Sequence, residues 1–272
     1  MKGVKKIVWL ASYPKSGNTW FRVFLSNLLY SDSEPVHINR LKESNMAASR
    51  ELFEYYSGLP SEDLTHDEID GLRPEVFRAI ARESDELLFL KVHDAYTYLS
   101  EVKPLFPTEV SQGVIYFIRN PLDIAVSFAH HSANHPEEMI EVLNSSESSF
   151  CGKSHRLYNQ LRQKLNTWSQ HVKSWVEQNN IPVHVMRYED MKTDTYRSFS
   201  EAVHFLGIDA GVSDIDKALE NSHIDVLKQQ EAEEGFHERM IKAPSFFRKG
   251  TIGEGSQYFS QERISEIIEN HK

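Results

Sequence analysis

An apolar run that passes through a lysine- and glycine-bearing loop straight into a helix constrains this chain more than any other feature. Residues Lys6–Ser12 read as a buried strand. Asn18–Tyr30 reads as a helix, with Trp20, Phe24 and Leu28 at i, i+4 and i+8. The joining segment is SYPKSGNTW, residues 12 to 20. A helix N-terminus offers unsatisfied N–H groups and a partial positive charge, which suits an anion. Gly17 lets the backbone approach that anion closely. Lys15 adds a full charge, and Ser16, Asn18 and Thr19 add side-chain donors. The plain alternative is an ordinary strand-to-helix turn capped by Ser16 or Asn18.

The rest of the chain predicts an α/β fold. Further buried strands are expected at Leu87–His93, Val114–Arg119 and Val183–Tyr188, each bounded by polar or turn residues. Helices are expected at Pro74–Arg82, opened by its proline, from Pro121 to about Ser132, and over a long stretch, His155–Asn179. Tyr196–Leu206 ends at a glycine stop, Gly207, and Ile215–Glu220 and Glu262–Glu269 are further candidates. Ser132–Ser154 reads as a mobile polar loop, and Ser57–Asp70 as a second polar region. Strands alternating with helices imply one domain over 1–272, with a mostly parallel central sheet flanked by helices.

Composition narrows the function. The 272-residue chain carries a net charge of −10, which argues against nucleic acid as a partner. Its single cysteine, Cys151, excludes an intramolecular disulfide and an all-cysteine zinc site. No run approaches the roughly 18–20 apolar residues of a bilayer span. Lys2, Lys5 and Lys6 imitate a signal n-region, but Pro14 and Lys15 cut short the apolar run after them. The expectation is a cytoplasmic protein without a membrane anchor.

The phosphate loop departs from a Walker A sequence: Asn18 stands where the lysine belongs, the lysine precedes the glycine, and Ser12 replaces the leading glycine. YPKSGNTW at 13–20 resembles instead the 5′-phosphosulfate loop of the sulfotransferases that use 3′-phosphoadenosine 5′-phosphosulfate (PAPS). VIYFIRNPLDIAVSFAHH at 114–131 resembles that family's 3′-phosphate segment, and FFRKGTIG at 246–253 its RKGxxG loop. The three motifs follow in family order across nearly the whole chain. The resemblance implies a P-loop-type strand–loop–helix for the phosphosulfate and no metal requirement.

Residue by residue, it implies donor contacts from Lys15, Ser16, Gly17, Asn18, Thr19 and Trp20. Arg119 and Ser127 would grip the 3′-phosphate, joined by Arg248, Lys249 and Gly250. Tyr188, in RYEDM at 187–191, matches an adenine-contact tyrosine, Ser222 a second contact, and Phe247 a flanking ring. His93 matches the catalytic base in a Lys-x-His context, with Lys91 projecting on the same strand face. Its ordinary pKa of about 6.5 suits proton abstraction near neutrality. Lys15 would stabilise the leaving 5′-phosphate. The acceptor is expected to be a small molecule, sulfated at a hydroxyl or less favourably an amine. Tyr96, Phe128 and His130 are candidate acceptor contacts, and Tyr98 and Phe150 add aromatic surface for a partly apolar acceptor.

Other features read more plainly. His131 and His135 have metal-ligand spacing, but Pro136 disfavours a helix through them. The acidic run at 231–234 reads as a solvated face or loop. After Gly253 the family's common Asp-Trp-Lys is replaced by Glu254, Gly255 and Ser256, and Ser260–Gln261 replaces the Thr-Val of a dimerisation pattern. Two readings compete: a P-loop phosphotransferase or nucleotide kinase, and a catalytically silent protein that binds PAP, the desulfated product.

Overall fold

The computed structural model describes residues 6–31, 34–42, 45–153 and 156–272. Lys2 and Lys5, the loop end Ser154 and the expected helix start His155 lie outside the described residues. In chain order the first half contains β1 (Ile7–Ser12), α1 (Asn18–Tyr30), α2 (Arg50–Ser57), α3 (His66–Glu83), β2 (Leu88–Val92), β3 (Tyr98–Ser100), β4 (Lys103–Pro104) and β5 (Ser111–Ile118). Then come α4 (Pro121–Ser132), α5 (Pro136–Asn144), β6 (Ser149–Phe150), β7 (Gln163–Lys164), α6 (Trp168–Val176) and β8 (Val183–Arg187). The chain closes with α7 (Tyr188–Thr193), α8 (Thr195–Leu206), α9 (Val212–Asn221), α10 (Ile224–Glu234), α11 (Glu254–Tyr258) and α12 (Gln261–Asn270).

The main sheet has the order β2-β1-β5-β8. β1 and β2 run parallel, in register from Ile7 opposite Leu88 to Ala11 opposite Val92. Every residue of β1 is buried, as a central strand covered on both faces requires. Non-consecutive neighbours in the order require helical crossovers. The fold class is the α/β arrangement read from the sequence.

The chain forms two compact units. One comprises Met1–Tyr13, Asn45–Tyr116 and Ser145–Val185. In it Trp9 of β1 meets Phe77 of α3 and Phe106 edge-on, both with centroids 4.9 Å away. Trp175 of α6 stands 4.9 Å from Phe106. The other comprises Pro14–Ser44, Phe117–Asn144 and Met186–Lys272. There Phe24 of α1 packs edge-on against Phe199 of α8 at 4.7 Å, and Phe21 lies 5.3 Å from Phe117.

Four expectations are corrected. Pro74 lies inside α3 rather than opening a helix. The helix starts at His66 because Thr65 and Glu68 form a reciprocal capping box. The long helix over His155–Asn179 shrinks to α6, which a second capping box, Thr167 with Gln170, starts at Trp168. Upstream, Gln163–Lys164 pairs antiparallel with Ser149–Phe150. The stretch read as the mobile loop Ser132–Ser154 contains α5, whose Met139, Ile140 and Leu143 are buried. Finally, 231–234 is the last turn of α10, and Glu231 is not merely solvated: its carboxylate accepts the N–H groups of Phe246 at 2.6 Å and Phe247 at 2.9 Å.

Candidate functional site

β1 ends at Ser12, and the next residues turn the chain into α1. Lys15 and Gly17 both adopt left-handed backbone, at φ 71° and 104°. Such a conformation is strained for a lysine and is kept where the surroundings over-determine it. Here Arg119 Nη1 donates to the Lys15 carbonyl at 3.1 Å. At Gly17 a side chain is excluded twice, by φ and by the Tyr188 ring, whose Cδ2 would lie 2.9 Å from a Cβ. Gly17 is the N-cap of α1, with no side-chain cap and no acidic residue in the first turn. The Ser16 hydroxyl is buried without a hydrogen-bond partner, as is the Trp20 indole N–H. An uncapped helix N-terminus beside an unsatisfied buried hydroxyl has the donors to accept an anion. The capped-turn alternative therefore does not hold for Ser16. The Lys15 ammonium lies 4.0 Å from the centroid of Phe246.

Arg119 follows β5 directly and is buried. Its second nitrogen donates to the Thr251 carbonyl at 3.0 Å, so one guanidinium ties the loop before α1 to the RKGTIG loop. The group lies 4.1 Å over the Tyr188 ring. Its Nε has no partner, and the Asp123 carboxylate is 4.0 Å away. Tyr188 is thereby packed against Gly17, Arg119 and Gly250, and burial pushes its phenol up. Asn120 caps α4 through Leu122 N–H, which sets the helix that carries a half-buried Ser127.

Arg248 and Lys249 converge on Glu254. Arg248 Nη1 donates to Oε1 at 2.6 Å, Nη2 bonds Oε2, and Lys249 donates to Oε1 at 2.9 Å. The hydrogen bonds from Arg248 hold the Glu254 carboxyl down at about 2. His130 Nε2 lies 3.4 Å from Ser245 Oγ. Burial first, then the Arg248 charge, lowers its pKa. Phe128 is buried in α4. Two adenine-side candidates have these surroundings. Ser222 ends α9 with its hydroxyl on the Leu219 carbonyl, and Phe247 belongs to a cluster with Val23, Ile38, Leu41, Leu227 and Phe236.

In the other unit β2 carries Lys91 and leads to His93. His93 Nδ1 lies 2.9 Å from the Ser12 carbonyl and 3.3 Å from its hydroxyl. A carbonyl can only accept, so Nδ1 bears the proton and the lone pair of the neutral ring is at Nε2. Phe150 stands edge-on to the imidazole at 5.9 Å. The backbone here is held from behind. His171 Nε2 lies 3.1 Å from the His93 carbonyl, and its Nδ1 is 2.8 Å from the Tyr116 hydroxyl. Burial lowers His171 to about 4. The next residue, Asp94, takes a two-point bond from the buried Arg73 at 3.0 and 2.7 Å. Tyr96 is packed inward beside Phe106 and Trp175, its hydroxyl accepting from Asn180 at 3.0 Å.

Sequence reasoning missed Asp123, Glu254, Arg73 and His171. Only Glu254 had a signal, its adjacency to RKGTIG. Among the described residues, no group of three or more His, Cys, Asp or Glu is placed to hold a metal ion. No described helix is long and apolar enough to cross a membrane.

The profile of the sulfotransferase domain matches residues 5–271. The chain belongs to the sulfotransferase family. Among relatives of this family member, human sulfotransferase 1E1 is 25% identical over 276 residues, covering 96% of this chain and 81% of that protein. Dog sulfotransferase 1B1 is 23% identical over 258 residues, covering 92% of this chain and 77% of that protein. Among solved structures, mouse sulfotransferase SULT7A1 complexed with PAP aligns with a TM-score of 0.64 at 22% identity, covering 99% of this chain and 84% of that one. Retinol dehydratase in complex with androsterone and PAP aligns at 0.63 and 22%, covering 98% and 80%. These structural likenesses concern the fold.

Proposed function

We propose that this sulfotransferase moves the sulfuryl group of PAPS to a hydroxyl of a small-molecule acceptor. The observation that carries the reading is the α1 entrance: an uncapped helix N-terminus, a buried unsatisfied Ser16 hydroxyl, a left-handed Lys15 and a Gly17 that admits no side chain. Relatives solved with PAP support it. PAPS supplies an activated sulfuryl group whose leaving partner is a 5′-phosphate. The α1 N–H groups, Ser16, Asn18 and Thr19 bind that phosphate. Lys15 neutralises charge developing on the bridging oxygen. Arg119, Ser127, Arg248, Lys249 and Gly250 receive the 3′-phosphate, and Trp20, Tyr188, Ser222 and Phe247 are the adenine side. His93 takes the acceptor proton at Nε2, and Lys91 assists at the sulfuryl group. A sulfuryl group carries less charge than a γ-phosphoryl group, so the reading requires no Mg²⁺. Phe128, His130 and Tyr96 are acceptor-side candidates.

Thermal melting tests the donor half. PAP at ~100 times its dissociation constant adds about 2.7 kcal/mol of stability. The expected result is a metal-independent shift with PAP and little with ATP. A Mg²⁺-dependent shift with ATP alone would overturn the reading in favour of phosphoryl transfer.

A further inference from the structure

The two adjacent cations of the RKGTIG loop share one carboxylate. Glu254 receives both terminal nitrogens of Arg248 and the ammonium of Lys249. The backbone on either side of Glu254 is anchored: Asp123 accepts the N–H of Gly253 at 2.8 Å and of Gly255 at 2.7 Å. The Glu254 side chain is only 17% exposed. Arg119 is held less directly by charge: its two hydrogen-bond acceptors are neutral carbonyls, and the Asp123 carboxylate stands 4.0 Å from Nη2.

We propose that Glu254 sets the affinity for the nucleotide's 3′-phosphate by competing with it for Arg248 and Lys249. The inference rests on the donor reading above and specifies who holds those cations before the nucleotide arrives. A phosphate dianion brings more charge and more acceptor oxygens than one carboxylate, so it can displace Glu254. The intramolecular carboxylate is nevertheless present at high effective concentration. Binding therefore releases the two Glu254 ion pairs while making new ones to the phosphate, and PAP is held less tightly than three basic groups alone would hold it. A nucleotide with a 3′-hydroxyl leaves the Glu254 pairs intact. The device suits an enzyme that must release its product each turnover.

Isothermal titration of PAP and of 5′-AMP tests this with wild type, Glu254→Gln and Glu254→Asp, each checked for folding by its melting transition. Removing the competing charge is expected to tighten PAP about tenfold in Glu254→Gln, a scale set by partly exposed but two-point ion pairs. 5′-AMP binding should stay unchanged. Glu254→Asp, one methylene shorter, should fall between, and it carries the test if the glutamine variant does not fold. PAP binding unchanged or weakened in Glu254→Gln would overturn the inference, because Glu254 would then be orienting Arg248 for the phosphate. Equal tightening of PAP and 5′-AMP would overturn it too, as a general charge effect. If neither folded wild type nor folded variants bind PAP, the donor reading falls and the inference falls with it.

Discussion

At Gly17 the chain's local chemistry leaves one choice. The backbone is left-handed and the Tyr188 ring fills the place of a Cβ. Gly17→Ala is expected to cost ~1–3 kcal/mol and to weaken PAP binding. Denaturant titration checks the first part, and a variant as stable as wild type would contradict it. His171 offers a pH test. Its folded pKa of about 4 lies below the ordinary 6.5. The unfolded chain therefore binds the extra proton first, so the stabilisation is complete above pH ~6.5 and is lost as pH falls towards 4. Urea midpoints in wild type should fall over that window, by up to about 3 kcal/mol of stability. His171→Gln, which keeps a donor and an acceptor, should flatten the slope; an equal slope in both proteins would contradict this role for the histidine. The strand–loop–helix around Gly17 was legible from sequence because strand, glycine and helix are covalent neighbours. Asp123 was not, because its partners Gly253 and Gly255 lie 130 and 132 residues away.

Among the elements, α11 packs closely on α4. A Cβ at Gly255 would collide with the Leu122 backbone of α4, so the close approach excludes any larger residue. Asp123 fastens the same joint with two N–H bonds. Gly255→Ala should cost ~1–3 kcal/mol by overpacking and should lower PAP affinity, because the RKGTIG loop leads into this joint. A calorimetric melt and a PAP titration check both; wild-type values for both would show that the joint is dispensable. Elements with strong periodicity and clear punctuation, such as α1 and the stop at Gly207, were readable. α3 and α6 depart from the expectation because capping boxes, and not a proline or leucine spacing, set where they start. Leu161 and Leu165 are buried, but outside the helix that their spacing suggested. Burial in a hairpin-flanking segment imitates helical periodicity over so short a window.

For the whole molecule, the α/β class was readable from four apolar runs whose β-branched and aromatic content suits a buried sheet, and those runs form the order β2-β1-β5-β8. The irregular segments were harder, since their ion pairs join residues far apart in sequence, as Arg73 does with Asp94. The proposed reaction makes two demands on one chain: donor recognition through the α1 entrance and the loops around Tyr188, and proton removal by a histidine whose Nδ1 is committed to Ser12. The most direct measurement is PAP release from saturating PAPS across a panel of hydroxyl acceptors, with wild type and His93→Ala compared. Acceptor-dependent release by wild type is predicted, reduced ~10²–10⁴-fold in His93→Ala while PAP affinity persists. Equal release by the two proteins, or PAP binding with no transfer to any acceptor, would contradict it.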